Sequence, residues 1–152
     1  MGRELPPVEA FENLWQEAQQ LWERHRLTPP FEGYVSGDYA GLYHILAKLH
    51  GQVWTFLEWG SGLGVLTIMA SRMGFEAYGI ETEPVLIDHA NDLAERHGSD
   101  AQFAEGSFIP EQFDISFSAE YAINRTVIDM PSAYDTIDME LSDFDLVYGF
   151  PW

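Results

Sequence analysis

The most specific chemistry in this chain lies in seven residues, Glu58-Trp-Gly60-Ser61-Gly62-Leu63-Gly64. An acid closes a short run of strand-forming residues, and three alternating glycines then turn the chain into an apolar segment. Glycine suits such a turn because it reaches positive φ at little cost and leaves the backbone open to a ligand. A helix starting there offers free amides and the positive end of its dipole. An acid beside that opening sits poorly next to a pyrophosphate and suits a ligand that brings an ammonium group. Glu81 ends the next apolar run in a similar way, and Glu105-Gly-Ser107-Phe108 follows the third.

The spacing separates this turn from two others. A dinucleotide fingerprint, G-x-G-x-x-G/A, needs a small third residue where this chain has Val65; the third glycine arrives one position earlier. No Gly-Lys-Ser/Thr follows, so a Walker loop is excluded. A nicotinamide-dependent oxidoreductase is the reading this spacing disfavours.

The elements that must position these residues alternate. Val53–Glu58, Glu76–Ile80 and Ala101–Ala104 read as short buried strands. Helices fall between them, over Val65–Met73 and from Pro84 to about His97. Such alternation predicts a parallel sheet with right-handed crossovers and ligands at the carboxyl ends of its strands. Asp145–Tyr148 reads as a fourth strand. Ahead of the sheet, Pro6-Pro7 open an amphipathic helix carrying Val8, Phe11, Leu14, Trp15, Ala18, Leu21 and Trp22 on one stripe. A second helix runs over roughly Asp38–His50, capped by Ser36 or Asp38. Phe113–Tyr121 fits a half-exposed strand and a helix equally well, and Pro131-Ser132 caps a short helix through Ile137. The expected organisation is an N-terminal helical extension, 1–30, followed by an α/β domain, 31–152.

Taken together, Glu58–Gly64, Glu81, Glu105–Phe108 and the fourth strand resemble the class I S-adenosylmethionine-dependent methyltransferase family. The resemblance covers roughly Phe31–Trp152 and implies a Rossmann-like parallel sheet whose visible order is 3-2-1-4. It implies S-adenosylmethionine as cofactor and S-adenosylhomocysteine as product. Cofactor contacts would come from Glu58, Gly60, Ser61, Gly62, Leu63, Gly64, Glu81, Thr82, Ser107, Phe108 and Tyr148. In the family the second acid, here Glu81, accepts from the ribose hydroxyls, and the loop at Ser107-Phe108 cradles adenine. Ser107 stands where the family often has an acid. Tyr34 and Ser36 lie in a region that often touches the cofactor's methionine end. Gly149-Phe150-Pro151-Trp152 superficially resembles the motif of amino-methyltransferases, but glycine replaces its polar residue and phenylalanine its first proline. No catalytic base and no metal ligand is assigned. His25, His44, His50, His89 and His97 read as solvated or structural.

Composition narrows the acceptor. The net charge is −18 and Lys48 is the single lysine, so broad electrostatic binding to a phosphate backbone is disfavoured. The expected acceptor is a small molecule or a protein rather than a nucleic acid. Cysteine is absent, which removes disulfides, thiolate metal sites and cysteine nucleophiles. No stretch is apolar enough to span a bilayer and no signal-peptide pattern opens the chain, so the expectation is a cytoplasmic protein. The family's sheet has further strands beyond the fourth. The favoured expectation is therefore part of a longer enzyme, the alternatives being a second copy covering the open fourth-strand edge or a non-catalytic scaffold relative. That edge would favour homo-oligomerisation.

Overall fold

The computed structural model describes residues 4–110 and 131–150; the segment with the ambiguous Phe113–Tyr121 pattern lies outside them. Strands β1 (Thr55–Trp59), β2 (Glu76–Glu81), β3 (Gln102–Glu105) and β4 (Leu146–Gly149) form one parallel sheet in the order β3-β2-β1-β4. This is the expected order. Glu58 sits opposite Gly79 on one side and Tyr148 on the other, and Glu81 opposite Glu105. The carboxyl ends of the strands therefore meet at one edge.

The chain order changes direction between β1 and β4, and the crevice of such a sheet opens there. Helices α1 (Glu12–His25), α2 (Tyr39–Leu49), α3 (Val65–Arg72) and α4 (Pro84–Arg96) contribute to the core on one face, with Phe56 and Ala77 of the sheet. Leu57, Tyr78, Ile80 and Ala104 point to the other face, where they meet Phe144 and the short helix α5 (Tyr134–Ile137). The period-2 alternation of side chains along β1 and β2 produces this split.

A 3-10 turn, Val8–Phe11, leads into α1; the turn buries Phe11 and the helix Leu14 and Ala18, all from the expected stripe. The Trp15 indole N–H donates to Met69 Sδ at 3.2 Å, and the Arg72 guanidinium lies 4.7 Å from the Phe11 ring centroid. The N-terminal helix is thus packed directly on α3. Asp38 caps α2 by accepting from the Gly41 amide at 3.1 Å.

Strand β1 starts two residues later than its apolar run suggests. The Asp145 carboxylate accepts from the amides of Trp54, at 2.8 Å, and Thr55, at 3.2 Å. The Asp145 amide in turn donates to Thr55 Oγ1 at 2.8 Å. Side-chain bonds replace ladder bonds at this corner, and both β1 and β4 begin after it. The same amides hold the Asp145 carboxyl below its ordinary range.

Helix α3 begins at Gly64, whose φ is +77°. A Cβ at that position would collide with the Phe103 ring and lie 3.0 Å from the Ala90 Cβ. Gly64 therefore lets α3 and α4 close on β3. Its replacement combines an unfavourable φ with overpacking, so Gly64→Ala should lower the unfolding free energy by about 2–4 kcal/mol. Urea denaturation monitored by tryptophan fluorescence reads this directly, and an unchanged midpoint would contradict the packing assigned to Gly64.

Candidate functional site

A cavity of about 530 Å³ opens at the carboxyl ends of the strands, beside the β1–β4 switch point. The turn after β1 contributes Gly60, Ser61 and Gly62 to its wall. The strand ends contribute Glu58, Glu81, Thr82 and Tyr148, and the loop after β3 contributes Ser107 and Phe108. Nine of the eleven residues expected from the sequence thus converge on one cavity. Leu63 is instead wholly buried in the core, and Gly64 serves the helix packing described above.

Glu81 holds the turn in place. Its Oε1 accepts from the Gly62 amide at 3.0 Å. Its Oε2 accepts from the amides of Thr82 and Glu83 at 2.7 and 3.0 Å. A carboxylate has about four acceptor sites, so Oε1 retains capacity for a donor arriving from the cavity. Gly62 has φ +56°, and a Cβ there would come within 2.8 Å of the Tyr34 ring. Tyr34 therefore lies over the glycine turn, closing it from the N-terminal side.

Glu58 is 9% exposed and faces the cavity. Thr67 of α3 donates its hydroxyl to Oε1 at 2.8 Å. No basic side chain lines the cavity among the described residues. Burial in these surroundings pushes the Glu58 carboxyl up to about 8, with Glu81 adding to the rise and the Thr67 bonds opposing it. Three phenols surround the same space. The Tyr34 and Tyr39 hydroxyls are 3.1 Å apart, and burial raises the pKa of both. Tyr148 is raised by burial and by Glu58 and Tyr39.

Ser61 is 5% exposed, and its Oγ has no hydrogen-bond partner. The side chain rests over Gly79, where a Cβ would approach the Ser61 Cβ to 2.6 Å. Across the cavity, Ser107 Oγ accepts from the Ile109 amide at 3.1 Å. One face of Phe108 is stacked on Trp59 at 4.7 Å between centroids and 9° between planes. The Trp59 indole N–H donates to the Tyr134 hydroxyl at 3.1 Å, which donates to the Phe108 carbonyl at 2.7 Å.

Ser36 does not line this cavity, whereas Tyr34 does. Sequence reasoning did not select Tyr39, Thr67, Glu32, Glu83 or Gly79. Gly79 left a signal, since an isolated glycine within a strand pattern marks a close approach. The described residues include no cluster of histidines and acids able to hold a metal ion. None of the described helices is long and apolar enough to cross a membrane.

Sheet order, switch-point cavity and glycine turn define a Rossmann-like α/β domain. No protein-family model matches the chain. Over 51 residues, 34% of its length, it is 39% identical to the ribosomal protein L11 methyltransferase of Thermus thermophilus. The chain spans a fifth of that protein. Solved structures with partial likeness include an RNA methyltransferase from Salinibacter ruber in complex with S-adenosyl-L-homocysteine. The two are 26% identical, with a TM-score of 0.42 and 55% of each chain covered. Another is a SAM-dependent methyltransferase from Thiobacillus denitrificans, also in complex with S-adenosyl-L-homocysteine. It is 20% identical, with a TM-score of 0.41 over 70% of this chain and 38% of that one.

The Glu58 environment makes a testable statement about stability. Its folded pKa, about 8, lies above the ordinary 4.5, so between these values the folded state holds a proton that the unfolded chain has released. Stability from this group is complete below the unfolded value and is lost as pH rises toward 8. Glu58→Gln should therefore gain stability relative to the parent chain between pH 5.5 and 8.5. Urea titrations across that range check it; a difference independent of pH would refute the burial assigned to Glu58.

Proposed function

We propose that this domain binds S-adenosylmethionine and takes part in methyl transfer to a small-molecule or protein acceptor. The observation that carries the reading is Glu58: a buried carboxyl facing a cavity without a basic partner among its described walls, beside a glycine turn with open backbone. Burial keeps that carboxyl protonated near neutral pH, and a ligand that brings positive charge would favour its ionised form. S-adenosylmethionine brings an ammonium and a sulfonium and no phosphate. The similarity to the ribosomal protein L11 methyltransferase points the same way.

The residues present fit such a ligand. Glu58 faces its cationic amino acid end. Gly60 and Gly62 let the backbone approach, while the Ser61 side chain turns onto Gly79 and leaves the turn's backbone as the wall. The free acceptor capacity on Glu81 Oε1 suits a ribose hydroxyl. Ser107 and Phe108 bound the space left for the base, with Phe108 braced by Trp59. Thr82 and Tyr148 close the remaining walls.

When bound, S-adenosylmethionine supplies a methyl group on a good leaving group, so transfer depends chiefly on alignment and exclusion of water. Here the alignment falls to the turn held by Glu81, and exclusion of water to the Tyr34, Tyr39 and Tyr148 side. An acceptor reaching the cavity would meet glutamates and aromatic rings. This supports a neutral or cationic small molecule or protein side chain over a nucleic acid.

Calorimetric titration of the purified chain with S-adenosylmethionine tests the reading, with NAD as control. Micromolar binding is expected for the cofactor and none for NAD. Gly62→Arg should abolish binding by filling the space under Tyr34, and Glu81→Ala by freeing the turn. Both variants are to be checked for folding by circular dichroism. A folded parent chain that fails to bind would overturn the proposal.

A further inference from the structure

The segment between α1 and α2 reaches the cavity through Tyr34, and it is anchored at one point. Across residues 26–37 the single buried side chain is Phe31, 2% exposed. Two histidines flank its ring. His25, from the last turn of α1, stacks on it at 5.4 Å between centroids and 28° between planes. His89 of α4 meets it edge to face at 5.7 Å and 67°. The two imidazoles lie 5.5 Å apart, so the three rings form a closed triangle. Aromatic pairs at such separations attract one another beyond the area they bury.

Two routes lead from this triangle to the glycine turn. The side-chain route is the Phe31 ring, which meets Tyr34 edge to face at 6.4 Å between centroids. The backbone route is a relay in steps of three residues. The Thr28 amide donates to the His25 carbonyl at 2.8 Å, the Phe31 amide to that of Thr28 at 3.1 Å, and the Tyr34 amide to that of Phe31 at 3.0 Å. The Thr28 hydroxyl reinforces the first step at 2.6 Å. Tyr34 then lies over Gly62, where a Cβ would come within 2.8 Å of its ring. The run joins α4 to the turn after β1 without passing through the sheet.

We infer that the His25–Phe31–His89 triangle is a positioning group that seats Tyr34 on the glycine turn, with His89 as the member that ties the N-terminal segment to the α/β core. The seat exists without a ligand; its effect on affinity rests on the S-adenosylmethionine reading above. The triangle also makes the seat sensitive to acid. His89 faces His25 and Arg24 of α1, and Asp88 and Asp92 of its own helix. Asp92 is already paired with Arg96, and the Pro29–Phe31 turn brings no titratable group. Burial, and then His25, hold the His89 pKa below its ordinary 6.5. The folded value thus lies below the unfolded one. The stability from this group is complete above 6.5 and is lost as pH falls through the lowered value. The seat therefore loosens in acid.

The first readout needs no ligand. The hydrogen-exchange protection factor of the Gly62 amide, followed by NMR on the purified chain, reports how firmly the turn is covered. The Leu57 amide of the central strand serves as the measure of global stability. His89→Ala should lower the protection of Gly62 about fivefold, the scale of a lost aromatic pair, and leave Leu57 unchanged. His89→Phe keeps a ring and loses the titration. It should restore the protection and flatten its fall between pH 7.5 and 5.5. In calorimetry, His89→Ala should weaken S-adenosylmethionine binding by a similar factor, and this effect should vanish once Tyr34 is also alanine. Unchanged protection at Gly62 in His89→Ala, or a loss matched at Leu57, would overturn the positioning role, as would failure of His89→Phe to restore it. Protection that responds as expected in a chain that binds no S-adenosylmethionine would leave the seat standing and remove the cofactor reading.

Discussion

The hydrogen bond from the Gly62 amide to Glu81, 3.0 Å long, is the contact on which the site depends. It ties the turn after β1 to the end of β2, so two strand ends act as one wall. The same carboxylate gathers the amides of Thr82 and Glu83, which fixes the entry to α4. Glu83 then accepts from the Val85 amide at the helix start. One side chain thus sets the turn, the strand end and the following helix. The turn in turn places Ser61 over Gly79 and leaves Gly62 bare under Tyr34. Shape and chemistry here share a cause, because the carboxylate that organises the backbone also lines the cavity.

Glu58 shows the opposite balance. It is not held by a web of amides, and its described side-chain partner is the Thr67 hydroxyl. A carboxyl buried this way resists ionisation, since desolvation disfavours its charged form. It therefore contributes less to the folded state than a leucine of equal size would at alkaline pH. Its place accords with the binding proposed above, in which a cationic ligand would favour the ionised carboxyl. The aromatic rings on the Tyr34 side enforce that arrangement by keeping water from the carboxyl.

Much of this was legible in the sequence, for a physical reason. Strand ends carrying acids and a glycine turn are local features, and apolar periodicity reports burial directly. Hence β1, β2, β3, β4, the turn, Glu58 and Glu81 were read from the residues themselves, whereas the strand order came from the family resemblance. The start of β1 was not, because Asp145 substitutes side-chain bonds for ladder bonds from 90 residues away. Tyr39 and Thr67 were also missed. Each sits on a helix with an ordinary pattern, and only packing turns it toward Glu58. Leu63 was expected at the cofactor because it lies inside the motif, but its apolar side chain goes to the core. A motif identifies a stretch of backbone, and tertiary packing decides which of its side chains face the ligand.

The two sides of the cavity are supported differently, and this bears on how it can work. On the β3 side, Phe108 is stacked on Trp59, and its carbonyl is bonded to Tyr134. The loop is also paired across to the chain around Ser132, with the Ser107 amide donating to the Pro131 carbonyl at 3.0 Å and the Ala133 amide to that of Ser107 at 3.0 Å. Those bonds join β1, the loop after β3 and α5, so a ligand group bound there meets a preformed surface and loses little to reorganisation. On the N-terminal side, Glu32, Gly33 and Val35 are exposed, and the Tyr34 hydroxyl is bonded to that of Tyr39. Fewer contacts fix that segment, and it covers the turn where the cationic end of a ligand would sit. Under the binding proposed above, the braced side would be the one to meet a flat base. The N-terminal side instead presents the Tyr34 ring, packed against Gly62, over the turn.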